Sequence, residues 1–222
     1  MVTRAFDLVL FGAPGAGKGT QAKRLATAFE LSHLCTGDLL REEVERGTSL
    51  GETARDFMNR GELVPDDVIK RVLFGRLHTQ QASFGCVYDG VPRTTTQAEL
   101  LDGLLAELNR RVDLVLNIHL PEVDLVARVT GRRSCAACGA VYHTALMPPR
   151  EAGVCDTCGA RLVQREDDRE DVSRERLRIH HELTTPLLEL YNRRGVLVEI
   201  DGRGQQDEVF GRLHDGIRRR AR

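Results

Sequence analysis

A glycine-rich stretch near the start of the chain restricts its fold more than any other feature. An apolar run that favours a β-strand, DLVLFG, leads into the segment GAPGAGKGT, and an amphipathic helical pattern follows. Gly12, Gly15 and Gly17 allow backbone conformations that a side chain would forbid, so that successive N–H groups and the start of the helix can point at one anion. Lys18 adds a positive charge for terminal phosphates. The sequence therefore predicts a strand, a phosphate-binding loop and a helix.

The simpler alternative for this stretch is an ordinary turn between a strand and a helix. The pattern Gly-x4-Gly-Lys in that context is specific and favours phosphate binding. One detail departs from the simplest form of the motif, because Gly19 follows the lysine where a Ser or Thr usually stands, and Thr20 comes one place later. Direct binding of Mg²⁺ by a hydroxyl group is therefore less well supported.

The composition limits the class of protein. The 222 residues suffice for one sizeable core, or for a core that carries a small inserted module. With 41% hydrophobic and 29% charged residues and a net charge of −1, the sequence is typical of a soluble globular protein and argues against non-specific binding to nucleic acid or to a membrane. The apolar run FDLVLFG is too short for a membrane span and does not resemble a signal peptide. We therefore predict a cytoplasmic protein.

Four of the six cysteines form two Cys-x-x-Cys-Gly motifs between residues 134 and 160. The spacing is that of a zinc ribbon, whose four thiolates suit tetrahedral Zn²⁺, and the predicted ligands are Cys135, Cys138, Cys155 and Cys158. The predicted compartment disfavours a disulfide, and the doubled motif disfavours a catalytic redox pair. Four protein ligands leave no open position on the metal, so we expect a structural role in a segment too short to bury a core.

Three other residues, one histidine and two cysteines, have side chains of the types that bind metals. His143 could replace a cysteine ligand, but with four cysteines available we expect it on the surface or towards the substrate. Cys35 and Cys86 lie in apolar surroundings, and we expect both to be small buried residues.

Further motifs follow the glycine loop in an ordered series. They are TGDLLR at 36–41, DGVPRT at 89–94 followed by Gln97, GRR at 131–133, VYH at 141–143 and REDD at 165–168. With this series the chain resembles the bacterial adenylate kinases over nearly its whole length, in the long form that carries an inserted lid. The resemblance implies a monomer that transfers a phosphoryl group from ATP to AMP and gives two ADP, with Mg²⁺ accompanying ATP. Such a reaction needs alignment, charge neutralisation and exclusion of water rather than covalent help from the protein.

The resemblance also implies the residues of the site. On the ATP side they are Gly15, Ala16, Gly17, Lys18, Gly19, Thr20, Arg128, Arg132, Val141, Tyr142, Gly202 and Gly204. On the AMP side they are Thr36, Arg41, Leu63, Val64, Gly90, Arg93, Gln97, Arg165 and Arg176. The implied catalytic set is Lys18, Asp89, Arg93, Arg128, Arg132, Arg165 and Arg176. Asp89 is expected to be the carboxylate nearest to the water shell of Mg²⁺.

These assignments have simpler structural alternatives. Arg41 precedes several glutamates and could form an ion pair on a helix surface. Arg128 and Arg132 could complement the C-terminal end of a helix. Two residues also depart from the usual family pattern, since Val91 stands in place of a Phe and Gly204 in place of a Lys, and both departures concern the base pockets.

The alternation of apolar runs and helical patterns predicts the architecture. Strands are expected at 6–11, 86–89, 113–119 and 196–200, with a shorter one at 32–35. Helices are expected near 17–30, 65–79, 95–110, 121–130, 169–194 and 206–220. This order indicates an α/β fold in which helices wrap a parallel sheet that carries the phosphate-binding loop.

Two segments interrupt the alternation and suggest separate units. Helices at 38–46 and 50–60, ended by Gly47 and Gly61, are predicted to form a helical AMP-binding flap over residues 35–64. Residues 131–168 are predicted to form a small zinc-ribbon-like lid. The core would comprise residues 1–34, 65–130 and 169–222. We call residues 35–64 the flap and residues 131–168 the lid.

The sequence bears differently on three other functions. A GTPase switch should carry a guanine-reading Asn-Lys-x-Asp motif, and the sequence has none. A nucleic-acid-binding ATPase with a zinc ribbon is disfavoured by the near-neutral charge and by the absence of interleaved lysines and aromatic residues in the ribbon. A related nucleoside monophosphate kinase with another base preference, including one that uses GTP as donor, stays open.

Overall fold

The computed structural model describes residues 5–220, so the first four and last two residues of the predicted core lie outside the described part. The strands are β1 (Phe6–Gly12), β2 (Ser32–Cys35), β3 (Gly85–Asp89), β4 (Val112–His119), β5 (Arg132–Cys135), β6 (Val141–His143), β7 (Leu162–Val163) and β8 (Leu197–Asp201). The α-helices are α1 (Lys18–Phe29), α2 (Thr36–Glu45), α3 (Ser49–Arg60), α4 (Asp66–Leu77), α5 (Thr95–Glu107), α6 (Glu122–Thr130), α7 (Glu170–Ile179), α8 (Thr185–Arg193) and α9 (Gln206–Arg220).

Among the described residues, five strands form the central sheet in the order β2-β3-β1-β4-β8. Every neighbouring pair is parallel, with Leu8 of β1 opposite Val87 on one side and Leu114 on the other. This confirms the predicted α/β fold, including the short strand at 32–35. Parallel strands bring their carboxyl ends to one edge, and in open α/β sheets ligands bind at that edge.

Strand β1 shows how the sheet is buried on both faces. Its side chains alternate, so Leu8 and Leu10 belong to one apolar cluster with residues of α1 and α9, and Val9 and Phe11 belong to another with residues of α4, α5 and α8. All four are at most 4% exposed. Burial on both faces explains why this strand is a continuous apolar run rather than an alternating one.

Most of the predicted helices are confirmed, with ends that differ by a few residues. The predicted helix at 169–194 differs, because α7 and α8 are joined by a π-helical turn, His180–Thr184. Pro186 in the first turn of α8 has no N–H to donate, which interrupts the regular ladder of hydrogen bonds at this point. No helix in the described part of the chain is long and apolar enough to cross a membrane.

The helices of the flap lie outside the alternation, as the sequence predicts. Gly61, which has φ 75°, caps the C-terminal end of helix α3, and Gly47 between the two helices has φ 63°. The two helices pack closely, since a Cβ at Gly51 would lie 2.2 Å from the carbonyl oxygen of Glu43. A short tight connection therefore joins them.

The lid contains a small antiparallel sheet in the order β6-β5-β7, which the sequence did not indicate. Strands of two to four residues are too short to show a periodic pattern. The buried cluster of the lid consists of Cys135, Tyr142, Cys155 and Leu162. So small a cluster agrees with the expectation that the lid buries little apolar surface of its own.

Candidate active site

The glycine loop lies at the carboxyl end of β1, in the middle of the sheet. Gly12, Gly15 and Gly17 have φ angles of 146°, 88° and 90°, which an L-residue with a side chain rarely adopts. A Cβ at Gly15 would also lie 2.5 Å from the carbonyl oxygen of Leu125, so this position requires glycine sterically as well. The loop thus brings backbone N–H groups to the start of α1.

The N-terminus of α1 is available to bind an anion. Gly17 caps the helix without a side chain, and the first turn contains no acidic residue. The N–H groups there have no side-chain partner, and the helix dipole favours negative charge at this position. Lys18 folds back over the loop, where its Nζ donates hydrogen bonds to the carbonyl oxygens of Gly12 (2.7 Å) and Ala13 (3.0 Å).

The ammonium group of Lys18 is destabilised in the protein without ligand. Burial lowers its pKa to about 8, and the charges of Arg93, Arg176 and Arg132 act in the same direction. The carboxylate of Asp89 opposes them without offsetting the burial. Lys18 is therefore a buried cation whose charged form a bound polyanion would stabilise.

Arg176 on α7 shows the same effect. Burial lowers the pKa of its guanidinium to about 10, and Arg93 and Arg132 lower it further against the opposing charge of Asp167. Its Nη1 lies 2.9 Å from Oδ2 of Asp167 and donates to the carbonyl oxygen of the same residue at 2.8 Å. The guanidinium is thus held in one orientation.

Two other carboxylates contact three further arginines, Arg132, Arg41 and Arg165. Asp168 is fully buried and accepts two hydrogen bonds from Arg132, one from Nη2 and one from Nε at 2.8 Å. Asp38 accepts a hydrogen bond of 2.6 Å from Nη2 of Arg41, and Nη2 of Arg165 lies 3.7 Å from the same oxygen. Arg41 therefore pairs with Asp38 and not with the glutamates that follow it.

Arg93 is positioned without a carboxylate partner in the described part of the chain. Its Nε donates to the carbonyl oxygen of Gly90 at 3.0 Å, and its backbone N–H donates to Oε1 of Gln97 at 2.8 Å. The amide of Gln97 also donates to Asp66 at 2.8 Å. Burial lowers the pKa of Arg93, which is the expected result for a guanidinium held for an anion that is not a protein side chain.

Asp89 ends β3 beside the glycine loop and is 4% exposed. Burial opposes its ionisation, but a contact with His33 and the charge of Lys18 outweigh burial and lower the pKa of the carboxyl. Asp89 is therefore ionised, as a carboxylate near a divalent cation would be. Oδ2 of Asp89 lies 3.3 Å from the position that a Cβ at Gly19 would take, so Gly19 also leaves space at this carboxylate.

Residues at the opposite end of the site come from the lid and from the loop after β8. The hydroxyl of Tyr142 points into the lid, where it accepts a hydrogen bond from the N–H of Asp156 at 2.9 Å. Gly202 packs against Ile118, and a Cβ there would lie 2.6 Å from Cγ2 of that residue. The side chain of Arg128 makes no hydrogen bond or ion pair within residues 5–220.

A single cavity of about 1150 Å³ connects these residues. Every residue that the sequence assigned to ATP, AMP or catalysis lines it, from the glycine loop, the flap, the core and the lid. Pockets for one drug-sized ligand have volumes of about 300–1,000 Å³. The cavity therefore has room for more than one such molecule.

The sequence reasoning missed two of the carboxylates that orient the arginines. Asp38 and Asp168 both lie within quoted motifs, but their pairing with arginines was not foreseen. Asp38 stands three residues before Arg41 on α2, a spacing that could have indicated the pair. The partner of Asp168 is 36 residues away in the chain, and no local signal indicates that contact. His33, close to Asp89, was missed as well.

The four cysteines of the lid come together. Their Sγ atoms all lie within 4.8 Å of one another, with 3.4 Å between Cys135 and Cys158 and 3.5 Å between Cys138 and Cys155. Tetrahedral thiolate ligands about 2.3 Å from a metal would be separated by roughly 3.8 Å. None of the four forms a disulfide. The cluster could therefore hold a metal ion with little rearrangement.

The environment of Cys155 favours the thiolate form that a metal requires. Burial opposes ionisation, but hydrogen bonds from Tyr142 and from the backbone of Cys158 and Thr157 lower the pKa of the Cys155 thiol to about 6. The neighbouring thiols share this charge, and the pKa values of Cys138 and Cys158 are raised, so Cys155 is the first of these three to ionise. His143 does not join the cluster, because its Nδ1 accepts hydrogen bonds from the N–H groups of Ala145 and Leu146.

The two remaining cysteines differ from each other. Cys86 is fully buried, as the sequence predicts. Cys35 is only half-buried and lines the cavity, so the prediction that it is a buried core residue is wrong. Its position at the end of β2 places it at the ligand-binding edge of the sheet.

A parallel sheet with a glycine loop after its central strand, opening into a cationic cavity, defines a P-loop nucleotide-binding protein. The sequence profile of the family described as "Adenylate kinase" matches residues 10–196. The chain belongs to the adenylate kinase family.

Curated relatives agree over most of the chain. The adenylate kinase of Archaeoglobus fulgidus is 47% identical over 196 residues, which are 88% of this chain and 90% of the relative. That of Methanococcoides burtonii is 48% identical over 204 residues, 92% of this chain and 94% of the relative. That of Thermodesulfovibrio yellowstonii is 46% identical over 206 residues, 93% of this chain and 96% of the relative.

Proposed function

We propose that this protein is an adenylate kinase, which transfers the terminal phosphoryl group of ATP to AMP and yields two ADP. The observation that carries the proposal is the single cavity, which combines an open helix N-terminus with cationic side chains from the core, flap and lid. The cations are Lys18, Arg41, Arg93, Arg128, Arg132, Arg165 and Arg176. A site for one nucleotide would not need cations from so many segments.

The proposal divides the cavity between the two nucleotides. ATP would lie against the glycine loop, with its base between the lid and the loop after β8. AMP would lie against the flap, with its phosphate at Arg41 and Arg93 and its base near Leu63, Val64 and Gln97. The transferred phosphoryl group would then pass between the loop and Arg93.

The chain supplies alignment and electrostatic stabilisation. Charge that develops on the transferred group meets Lys18 and Arg176, which are already fixed by hydrogen bonds and therefore need little reorganisation. The depressed pKa of each indicates that binding a polyanion is favourable. Closure of the flap and lid would exclude water as a competing acceptor.

Mg²⁺ would accompany ATP and neutralise part of the phosphate charge. The ionised carboxylate of Asp89 fits this cation, since it is directed into the cavity beside the glycine loop. The chain offers no Ser or Thr directly after Lys18, so we assign Asp89 the main protein contribution, through the water shell of the ion.

We assign the cysteine cluster of the lid to a structural Zn²⁺. Four thiolates give the ion a complete tetrahedral shell, so it would stabilise the lid and take no part in the transfer. We further propose that the flap (35–64) and the lid (131–168) move as separate units on the core, and that the enzyme acts as a cytoplasmic monomer.

A coupled assay for ADP formed from ATP plus AMP tests the function. Lys18→Ala should reduce turnover by about a hundredfold or more, because its charge acts on the transferred group. Lys70→Ala is the matched control, since Lys70 is exposed on α4 outside the cavity, and it should retain full activity. Near-normal turnover of Lys18→Ala would contradict the assigned role. A panel of donor and acceptor nucleotides distinguishes this function from the alternative kinase with GTP as donor.

A further inference from the structure

The edge of the sheet beside the glycine loop holds three metal-binding side chains outside the lid. His33 and Cys35 stand two residues apart on β2, so both project to the same face of the sheet. Asp89 is the residue of β3 directly opposite Cys35 in the parallel register. The strand pairing therefore collects a nitrogen, a sulfur and an oxygen donor at one point.

These donors are close enough to share one ion. One ring nitrogen of His33, the Sγ of Cys35 and a carboxylate oxygen of Asp89 all lie within 4.8 Å of one another. Nε2 of His33 is buried and makes no hydrogen bond within the described part of the chain, although it lies 3.5 Å from Oδ2 of Asp89. A buried polar atom without a hydrogen-bond partner is costly, and binding an ion would relieve that cost.

We propose that His33, Cys35 and Asp89 form a site for a thiophilic divalent ion of the Zn²⁺ or Cd²⁺ type. The donor set of imidazole, thiolate and carboxylate suits such ions, whereas Mg²⁺ prefers oxygen alone. Three protein ligands leave a fourth position open. Cys35 and Asp89 line the nucleotide cavity, so that position is accessible to solvent or to a phosphate oxygen.

The charges around the cluster are mixed. The carboxylates of Asp89 and Asp38 act on the Cys35 thiol and would attract a cation, and an ion that binds Sγ must displace the proton of the thiol. Lys18 acts against a cation, because its ammonium group interacts with the same carboxylate of Asp89. A bound dication would compete with Lys18 for this carboxylate.

Occupation of the site has a consequence for the reaction. The ion would take Asp89 away from the water shell of Mg²⁺ and would place two positive charges beside Lys18. It would therefore inhibit phosphoryl transfer. The binding site itself stands on the strand register and the donor geometry, whereas the inhibition rests on the proposed function.

Metal stoichiometry tests the binding site independently of activity. The full-length protein, loaded with one equivalent of Cd²⁺ to fill the lid, is dialysed against buffered free Cd²⁺ and its metal content is measured. The wild type should hold a second ion, and Cys35→Ser and His33→Gln should each hold one. Cys86→Ser is the matched control, because Cys86 lies in β3 away from the cluster, and it should keep the second ion. A single ion in the wild type, or a second ion that persists in both cluster variants, overturns the site.

Inhibition is measured with the kinase assay at constant excess Mg²⁺. Cd²⁺ should inhibit the wild type, and in Cys35→Ser the Cd²⁺ concentration for half-inhibition should rise about tenfold or more. Loss of an outer-shell partner already lowers metal affinity by about tenfold or more, and loss of a direct ligand should cost at least as much. Equal sensitivity of the two proteins overturns the inhibitory role. Absence of transfer before Cd²⁺ is added contradicts the proposed function instead, and the dialysis result still decides whether the site exists.

Discussion

The buried ammonium group of Lys18 links the geometry of the loop to a measurable proton balance. Its pKa in the free protein is lowered to about 8 by burial and by neighbouring arginines. Bound polyphosphate would stabilise the charged form and raise this pKa. Above pH 8 the complex should therefore hold more protons than the free protein, so binding takes up protons and ATP affinity falls as the pH rises. Calorimetry in buffers of different ionisation enthalpy measures this uptake.

The control for proton uptake is Lys18→Arg, which keeps the positive charge but does not titrate in this range. It should bind ATP without proton uptake above pH 8. The phosphates themselves contribute little there, since their second pKa is about 6. Heat effects in the wild type that do not depend on the buffer would contradict the prediction.

The pair of Asp168 and Arg132 leads to a prediction about stability. Asp168 is fully buried and Arg132 is 23% exposed, so removing the carboxylate leaves a largely buried charge without its partner. Asp168→Ala should lower the free energy of unfolding by about 3 kcal/mol. Asp171→Ala is the matched control, because it breaks the exposed pair with Arg169 and should cost less than about 1 kcal/mol. Denaturant unfolding compares the two, and equal losses would contradict the assignment.

Single residues differ in how far the sequence predicts their surroundings. Lys18 and the loop glycines were predictable, because a contiguous motif fixes the local backbone that places them. The contact between Arg93 and Gln97 is local, because only four positions separate the two residues in the sequence. The contact of Arg176 with Asp167 and that of Arg41 with Asp38 depend on which charges the folded chain brings together. The charge balance of the site is therefore a tertiary property.

Among the elements, long patterns were predicted most reliably, although the four-residue strand β2 was predicted as well. Strand β4, with eight residues, and helix α9, with fifteen, show clear patterns and were predicted correctly. Strand β7 has two residues and no pattern, so the lid sheet was missed. The π-helical turn at 180–184 was missed because a helical pattern does not record how one proline shifts the hydrogen bonds.

The lid is the element whose stability should depend on a metal. Its apolar cluster has few residues, so the cysteine site would supply much of the energy that holds it folded. Chelation should lower the melting temperature well before it lowers turnover at moderate temperature, because the proposed metal would take no part in the transfer. Thermal unfolding and kinase activity, measured on the same samples, follow the two effects.

Cys138→Ser serves as the control for the lid, since removing one ligand should reproduce the effect of the chelator. The variant should melt at a lower temperature, and added chelator should change its melting little further. Unchanged melting of metal-free protein would argue against a stabilising metal. Loss of turnover from a lid that remains folded would argue that the role is not structural.

On the scale of the whole molecule, charged residues connect the flap with the lid across the cavity. Arg165 of the lid lies 3.7 Å from Asp38 of the flap, and Arg41 of the flap lies 3.9 Å from Asp167 of the lid. The lid also contacts the core, where Nζ of Lys23 donates to the carbonyl oxygen of Gly139 at 3.1 Å. In the described conformation the flap and the lid therefore lie close to each other, and the lid also contacts the core.

This arrangement predicts that both nucleotides must be bound for fast turnover. ATP alone should be hydrolysed slowly, because a closed cavity excludes water, and added AMP should give ADP rapidly. A mimic of two adenosines joined by five phosphates should bind far more tightly than either nucleotide, through effective concentration.

Arg93→Ala should weaken the use of AMP much more than the binding of ATP, whereas Arg178→Ala, on the exposed face of α7, should change neither. Steady-state kinetics and calorimetry measure these effects. Fast hydrolysis without AMP, or a mimic that binds no better than ATP, would exclude the two-nucleotide site and favour a nucleotide-binding ATPase.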